Sequence, residues 1–166
     1  MNRKALDRYM DSPYKVFGVG PEQEGAILFV ADNYIKGMIE HNPDNQYPEE
    51  KLTVVYNRLL ALLSNNQACL LVVSKDDILI GSIILLRYMG DLSDIGDKLF
   101  VTGLYILPEY RVPGPACALI AQGREVCRGS NISQIVYCIS ENEPDRLAYK
   151  LWNGKETSKT FIADVE

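Results

Sequence analysis

Apolar residues recur along this chain in two rhythms, and the rhythm changes near residue 67. Ahead of that point the spacing is helical. Ile27, Leu28, Ala31, Tyr34, Ile35, Met38 and Ile39 share one stripe and predict a helix over 22–40, stopped by Asn42, Pro43, Asp44 and Asn45. Leu52, Val55, Tyr56, Leu59, Leu62 and Leu63 predict a second helix over 48–64, opened by Pro48 and two glutamates and closed by Asn65 and Asn66. A brief strand over 15–19, ending at the Gly20, Pro21 turn, is expected before them.

Past residue 67 the pattern becomes runs of β-branched and apolar residues. Residues 69–74 and 78–88 read as strands joined by the hairpin connection Lys75, Asp76, Asp77, and the second run is apolar at nearly every position, as in a strand covered on both faces. A polar loop over 90–96 leads to a strand over 99–107. Helical spacing then returns at Leu119, Ile120, Gly123, Val126 and Cys127, followed by a strand over 134–140, a short helix over 144–152 and a last strand over 157–165. The fold class is α/β of the mixed α+β kind: a central mixed, mostly antiparallel sheet flanked by helices. The crossover helix makes strands 99–107 and 134–140 parallel neighbours.

Composition narrows the function classes. With 166 residues, 47% of them hydrophobic, the expectation is one domain over 1–166 with a single core. A net charge of -5 and the lack of a Lys/Arg cluster argue against nucleic acid as a direct partner. No apolar run approaches the roughly 20 residues of a membrane span, and the first residues lack the apolar core of a signal peptide, so a cytoplasmic location is expected. Cys69, Cys117, Cys127 and Cys138 fall in predicted strands or helix with no C-x-x-C pair, and read as small buried hydrophobes rather than metal ligands.

The chemistry concentrates where strand 99–107 meets the helix after it. Arg111, Gly114 and Ala116 stand at intervals of three and two in a turn of small residues. A helix start there would aim unpaired backbone N–H groups and a positive dipole end at whatever sits above the strand, a natural place for a phosphate. At this junction the chain resembles the GNAT superfamily of acyl-CoA-dependent N-acyltransferases, whose Arg/Gln-x-x-Gly-x-Gly/Ala loop cradles the coenzyme A pyrophosphate. Leu104, Tyr105, Ile106, Leu107, Pro108, Glu109 and Tyr110 enter it as that superfamily commonly does.

The resemblance implies a pantetheine arm lying where the two parallel strands splay apart, with acetyl-CoA as cosubstrate and a primary amine of a small molecule or protein as acceptor. It places the backbone of Ile106 and Leu107 at the thioester, and Arg111, Val112, Gly114, Ala116 and Cys117 around the pyrophosphate. A β-branched residue at Gly114 is then expected to abolish coenzyme binding with the fold intact. Asn142 matches an asparagine that contacts the coenzyme, and Tyr149, in Ala148-Tyr149-Lys150-Leu151-Trp152, matches the tyrosine that protonates the departing thiolate. Strand 99–107 carries no carboxylate, so the candidates for taking the proton from the amine are Glu141, at the end of strand 134–140, and a water path. His41 reads as a surface residue favoured by a helix dipole, and Glu40, Asp44, Glu49 and Glu50 form an acidic surround that could draw in a cationic amine.

Two departures shape the alternatives. Pro113 and Pro115 remove two N–H groups from the loop, which fits a catalytically inactive GNAT-fold binding or regulatory protein as well as an enzyme. Members of the superfamily usually carry two strands after the last helix and only one is predicted here, so the resemblance implies a sheet edge either completed by a second copy in a homodimer or left open for a protein substrate.

Overall fold

In the computed structural model, which describes residues 13–44, 47–48, 50–89, 97–130, 132 and 134–137, five strands lie side by side in chain order. They are β1 (Tyr14–Val19), β2 (Ala68–Lys75), β3 (Ile78–Met89), β4 (Asp97–Ile106) and β5 (Gln134–Tyr137). Neighbours from β1 to β4 run antiparallel, and β5 runs parallel to β4, pairing residues 134–137 with 98–101. The connection between those two strands is α3 (Pro113–Gly129), while α1 (Glu24–His41) and α2 (Glu50–Ser64) precede β2. This is the mixed α/β arrangement that the periodicity predicts. The expected elements over 144–152 and 157–165, with Cys138 and the end of strand 134–140, lie outside the described residues.

Local chemistry sets the boundaries. The first helix begins at Glu24 rather than residue 22, because Gln23 N–H turns back onto Gly20 O at 3.1 Å and holds Pro21 and Glu22 in a turn. The second ends in a Schellman motif: Gln67 N–H reaches Leu62 O at 2.8 Å, Asn66 N–H reaches Leu63 O at 3.0 Å, and Asn66 takes φ 55°. Asp76 and Asp77, at φ 51° and 62°, form the two-residue hairpin between β2 and β3, where two positive φ values match the strand twist. One extra residue, Thr102, bulges from β4 where the register shifts opposite Ile84 and Leu85.

Alternation along β2 divides the core. Leu70 and Val72 point to Ile27, Val30, Ala31, Leu59 and Leu63 of α1 and α2, whereas Leu71 and Val73 join Leu119, Ile120 and Cys127 of α3 on the other face. Burying such a side chain fully stabilises by about 1.5–3 kcal/mol, so a strand sandwiched between both helix layers anchors the sheet. Cys117 and Cys127 are buried and Cys69 is half-buried, their thiols serving as packing groups.

Candidate active site

The end of β4 is the first component. Leu107 N–H donates to Ile80 O at 2.9 Å, which makes Leu107 and Ile80 a hydrogen-bonded pair and, by the alternation of an antiparallel ladder, Ile106 and Gly81 a non-bonded one. Ile106 therefore turns its N–H and C=O away from β3. On that outer side the described part of β5 reaches only residue 101. Gly81 makes the close approach of β3 and β4 workable, because a Cβ there would run into the Ile106 side chain and stand 2.8 Å from Tyr105 O.

After β4 the chain makes a single 3₁₀ turn, Pro108–Tyr110, and enters α3 at Pro113 with Val112 as N-cap. Gly114, Ala116 and Cys117 thus belong to the first turns of the helix. Proline is suited to these positions, since an N–H at the first helical residue would have no partner within the helix. The backbone donors divide unequally. Val112 N–H is turned onto Tyr110 O at 2.8 Å, and Cys117 lies four residues into the helix from Pro113, the spacing of an intrahelical bond. Gly114 N–H has no backbone partner among the described residues, and it stands at the positive end of the helix dipole. The ring of Tyr14, from β1, lies over Gly114 so closely that a Cβ there would collide with it. A β-branched residue at 114 would therefore disturb the β1–α3 contact as well as the turn, and the substitution does not separate binding from folding.

Arg111 is held to the protein rather than extended from it. Its Nε donates to Ile106 O at 3.0 Å, and its Nη2 donates to both oxygens of Glu40, each at 2.7 Å. Glu40 Oε1 also accepts from Tyr105 OH at 2.8 Å, and the guanidinium lies 5.2 Å from the centroid of the Tyr105 ring. Burial opposes the charge on Glu40, but the Arg111 and Tyr105 hydrogen bonds outweigh it and hold the carboxyl below its ordinary range. Burial, followed by the Glu40 hydrogen bond, pushes the Tyr105 hydroxyl up to about 12. The bond to Glu40 raises Arg111 further above its usual value.

The first helix reaches this cluster because Gly103 lets it lie close to the sheet, while Gly37 leaves ordinary contact room. A Cβ on Gly37 would stand 3.4 Å from Tyr105 Cδ2, and one on Gly103 would stand 3.0 Å from Tyr34 Cδ2. Farther along the same helix face, Asn33 Nδ2 donates to Ser82 Oγ at 3.1 Å in the buried interior, leaving Asn33 Oδ1 unpartnered among the described residues. His41 ends the helix, exposed, with Nδ1 2.7 Å from Gly37 O.

Of the residues singled out by sequence, Ile106, Leu107, Arg111, Val112, Gly114, Ala116 and Cys117 come together at the β4–α3 junction. Glu141, Asn142 and Tyr149 lie outside the described residues. The bonds among Glu40, Tyr105 and Arg111 have no counterpart in any local motif, because 71 residues separate Glu40 from Arg111. The available signal was the helical spacing of Asn33, Gly37 and Glu40, which puts two polar residues and a glycine on a face otherwise expected to be apolar. Among the described residues no group of His, Cys, Asp and Glu could hold a metal ion, and no helix is long and apolar enough to cross a membrane.

A profile of the Acetyltransferase (GNAT) family matches residues 17–153. No curated protein sequence matches the chain. Among solved structures, a predicted acetyltransferase with acetyl-CoA from Clostridium acetobutylicum is similar over 91% of this chain and 96% of its own, with TM-score 0.71 and 13% identity. An aminoglycoside acetyltransferase from an uncultured soil metagenomic sample, in complex with trehalose, is similar over 95% of this chain and 99% of its own, with TM-score 0.73 and 11% identity. The ribosomal-protein-alanine N-acetyltransferase of Brucella melitensis biovar Abortus 2308 is similar over 92% and 99%, with TM-score 0.69 and 15% identity. At these identities the likeness is one of fold.

Proposed function

Because the chain belongs to the Acetyltransferase (GNAT) family, we propose that it moves an acetyl group from acetyl-CoA to a primary amine of a small molecule or protein, by direct attack, in the cytoplasm. The observation that carries this reading is the β4–α3 junction, where an outward-turned Ile106 N–H and the uncommitted Gly114 N–H stand at the two ends of one short loop.

Acetyl-CoA supplies a thioester for an unprotonated amine to attack. Ile106 N–H would donate to the oxygen on which negative charge develops, a contribution of about 2.7–4 kcal/mol where such a donor has been removed elsewhere. Gly114 N–H, the α3 dipole and Arg111 would hold the diphosphate. With prolines at 113 and 115, the loop relies on fewer amides and more on the guanidinium. Tyr149 would give a proton to the departing thiolate, Glu141 would take one from the ammonium, and Asn142 would contact the coenzyme. Neighbours in fold named for an aminoglycoside and for a ribosomal-protein alanine support both a small-molecule and a protein amine as acceptor. A homodimer completing the sheet edge belongs to the same reading.

The test is a calorimetric titration with acetyl-CoA, followed by a transfer screen over aminoglycosides, polyamines and peptide N-termini. Ligand at 100 times its dissociation constant should stabilise by about 2.7 kcal/mol, a rise of several degrees in Tm. Absence of binding at millimolar acetyl-CoA defeats the proposal. Binding without transfer to any amine favours the second reading, a catalytically inactive binding or regulatory protein, to which Pro113 and Pro115 lend support.

A further inference from the structure

We propose that Glu40 anchors the cationic amine of the acceptor, and that Arg111 covers it until the coenzyme diphosphate draws the guanidinium away. This rests on the acyltransferase reading above. Three observations carry it.

The first is the commitment of Arg111. The residue expected to meet the diphosphate spends Nη2 on both oxygens of Glu40, while Nη1 has no partner among the described residues. A diphosphate approaching α3 meets a guanidinium already bound to a carboxylate. It is the stronger competitor, because it carries more charge and more acceptor oxygens than one carboxylate. The Glu40 pair is also only half-buried, with side-chain exposures of 45% for Arg111 and 41% for Glu40, and ion pairs in that setting are weak.

The second is the hold on Glu40 from elsewhere. Tyr105 OH donates to Oε1 from a ring that is 8% exposed and fixed in β4, one residue from Ile106. When the guanidinium leaves, the carboxylate keeps this bond and its aim. Other ion-paired carboxylates among the described residues, Asp32 with Lys36, Asp77 with Lys15 and Glu125 with Arg128, have no such tie to β4.

The third is charge. Closed, the Glu40–Arg111 pair is neutral and offers an ammonium nothing. Opened, it bares one oriented negative charge beside the strand end where the thioester would lie. Binding of the two substrates is then coupled, and the coupling is reciprocal: acetyl-CoA raises affinity for the amine by the factor by which the amine raises affinity for acetyl-CoA.

Acetyl-CoA itself is the probe. Calorimetry on the wild type, Glu40→Gln and Glu109→Gln separates competition for Arg111 from a general loss of negative charge, since Glu109 is an exposed acid in the adjacent turn. Glu40→Gln keeps an oxygen for Tyr105 and should bind acetyl-CoA about fivefold tighter, the factor set by an ion pair of this exposure. Glu109→Gln should stay within about twofold. Carboxyl ¹³C titration should also show Glu40, which faces Arg111, Tyr105 and His41, moving up toward the ordinary range when acetyl-CoA is added. A Glu40→Gln affinity equal to or below that of the wild type, or a Glu40 titration indifferent to acetyl-CoA, overturns the proposal and leaves the acyltransferase reading standing. No binding by any of the three proteins overturns both.

Discussion

On the α3 face of the sheet, β3 and β4 present Ile83, Leu85, Leu99 and Ile106 to Leu119 and Ile120. On the α1 face the same two strands present Ser82 and Tyr105, and the helix answers with Asn33 and Glu40. Both faces are close-packed and the α1 face has its own apolar cluster, Ile84 included, but along Ser82 and Tyr105 a different force is added. The apolar face gains from every methylene it removes from water. The polar seam gains little net from each hydrogen bond, yet loses heavily if one partner is removed. A seam of that kind runs from the buried interior at Asn33 to the half-exposed Glu40, and it ends where the β4–α3 loop begins.

The difference can be tested by substitution. Leu119, fully buried on α3, should cost about 3 kcal/mol when changed to Ala, seen as a lower urea midpoint with unchanged slope. Ser82→Ala removes only one oxygen, yet it strips Asn33 Nδ2 of its partner in a site where Oδ1 already lacks one among the described residues. It should cost about 2 kcal/mol, while Asn33→Leu combined with Ser82→Ala should recover most of the loss. A silent Ser82→Ala would mean that the two faces do not differ as described.

Tyr105→Phe should cost about 1 kcal/mol near neutral pH, and its pH dependence is more specific. A hydroxyl held near 12 in the fold and near 10 when unfolded contributes stability that is complete below pH 10 and is lost as pH rises toward 12. The Phe variant should lack that alkaline decline. Glu40 has the opposite sign: its carboxyl is held low, so its contribution is present above the ordinary carboxylate range and fades on acidification, and Glu40→Gln should flatten that limb. The smallest effect is a gain. Gly37→Ala should add about 0.5 kcal/mol, because the helix prefers alanine and the new methyl meets Tyr105 at ordinary contact distance.

What could be read from the sequence was local. Periodicity places the described helices and strands to within a few residues, since a stripe such as Leu59 and Leu63 or an alternation such as Leu70 to Val73 depends on near neighbours. The β4–α3 loop is legible for the same reason, as its glycine, prolines and arginine all act within six residues. Nothing local says that Arg111 is bound by Glu40, that Tyr14 covers Gly114, or that Ser82 meets Asn33. Those contacts depend on the register of β3 with β4 and on how closely α1 settles onto them.

The way one inserted residue is accommodated decides which of these two worlds each side chain enters. Before the bulge at Thr102, Leu99 and Val101 point to the α3 cluster; after it, Leu104 and Ile106 point there, while Gly103 meets Tyr34 and Tyr105 meets Gly37. Had Thr102 taken an ordinary place in the alternation instead of bulging out, the phase of everything downstream would be reversed, turning Tyr105 into the oily layer and Ile106 toward the first helix. Thr102 is an uncounted beat in the strand: the bulge sets it aside, and deleting it would leave Leu104 and Ile106 on the α3 face and Tyr105 toward the first helix, in a ladder without the bulge.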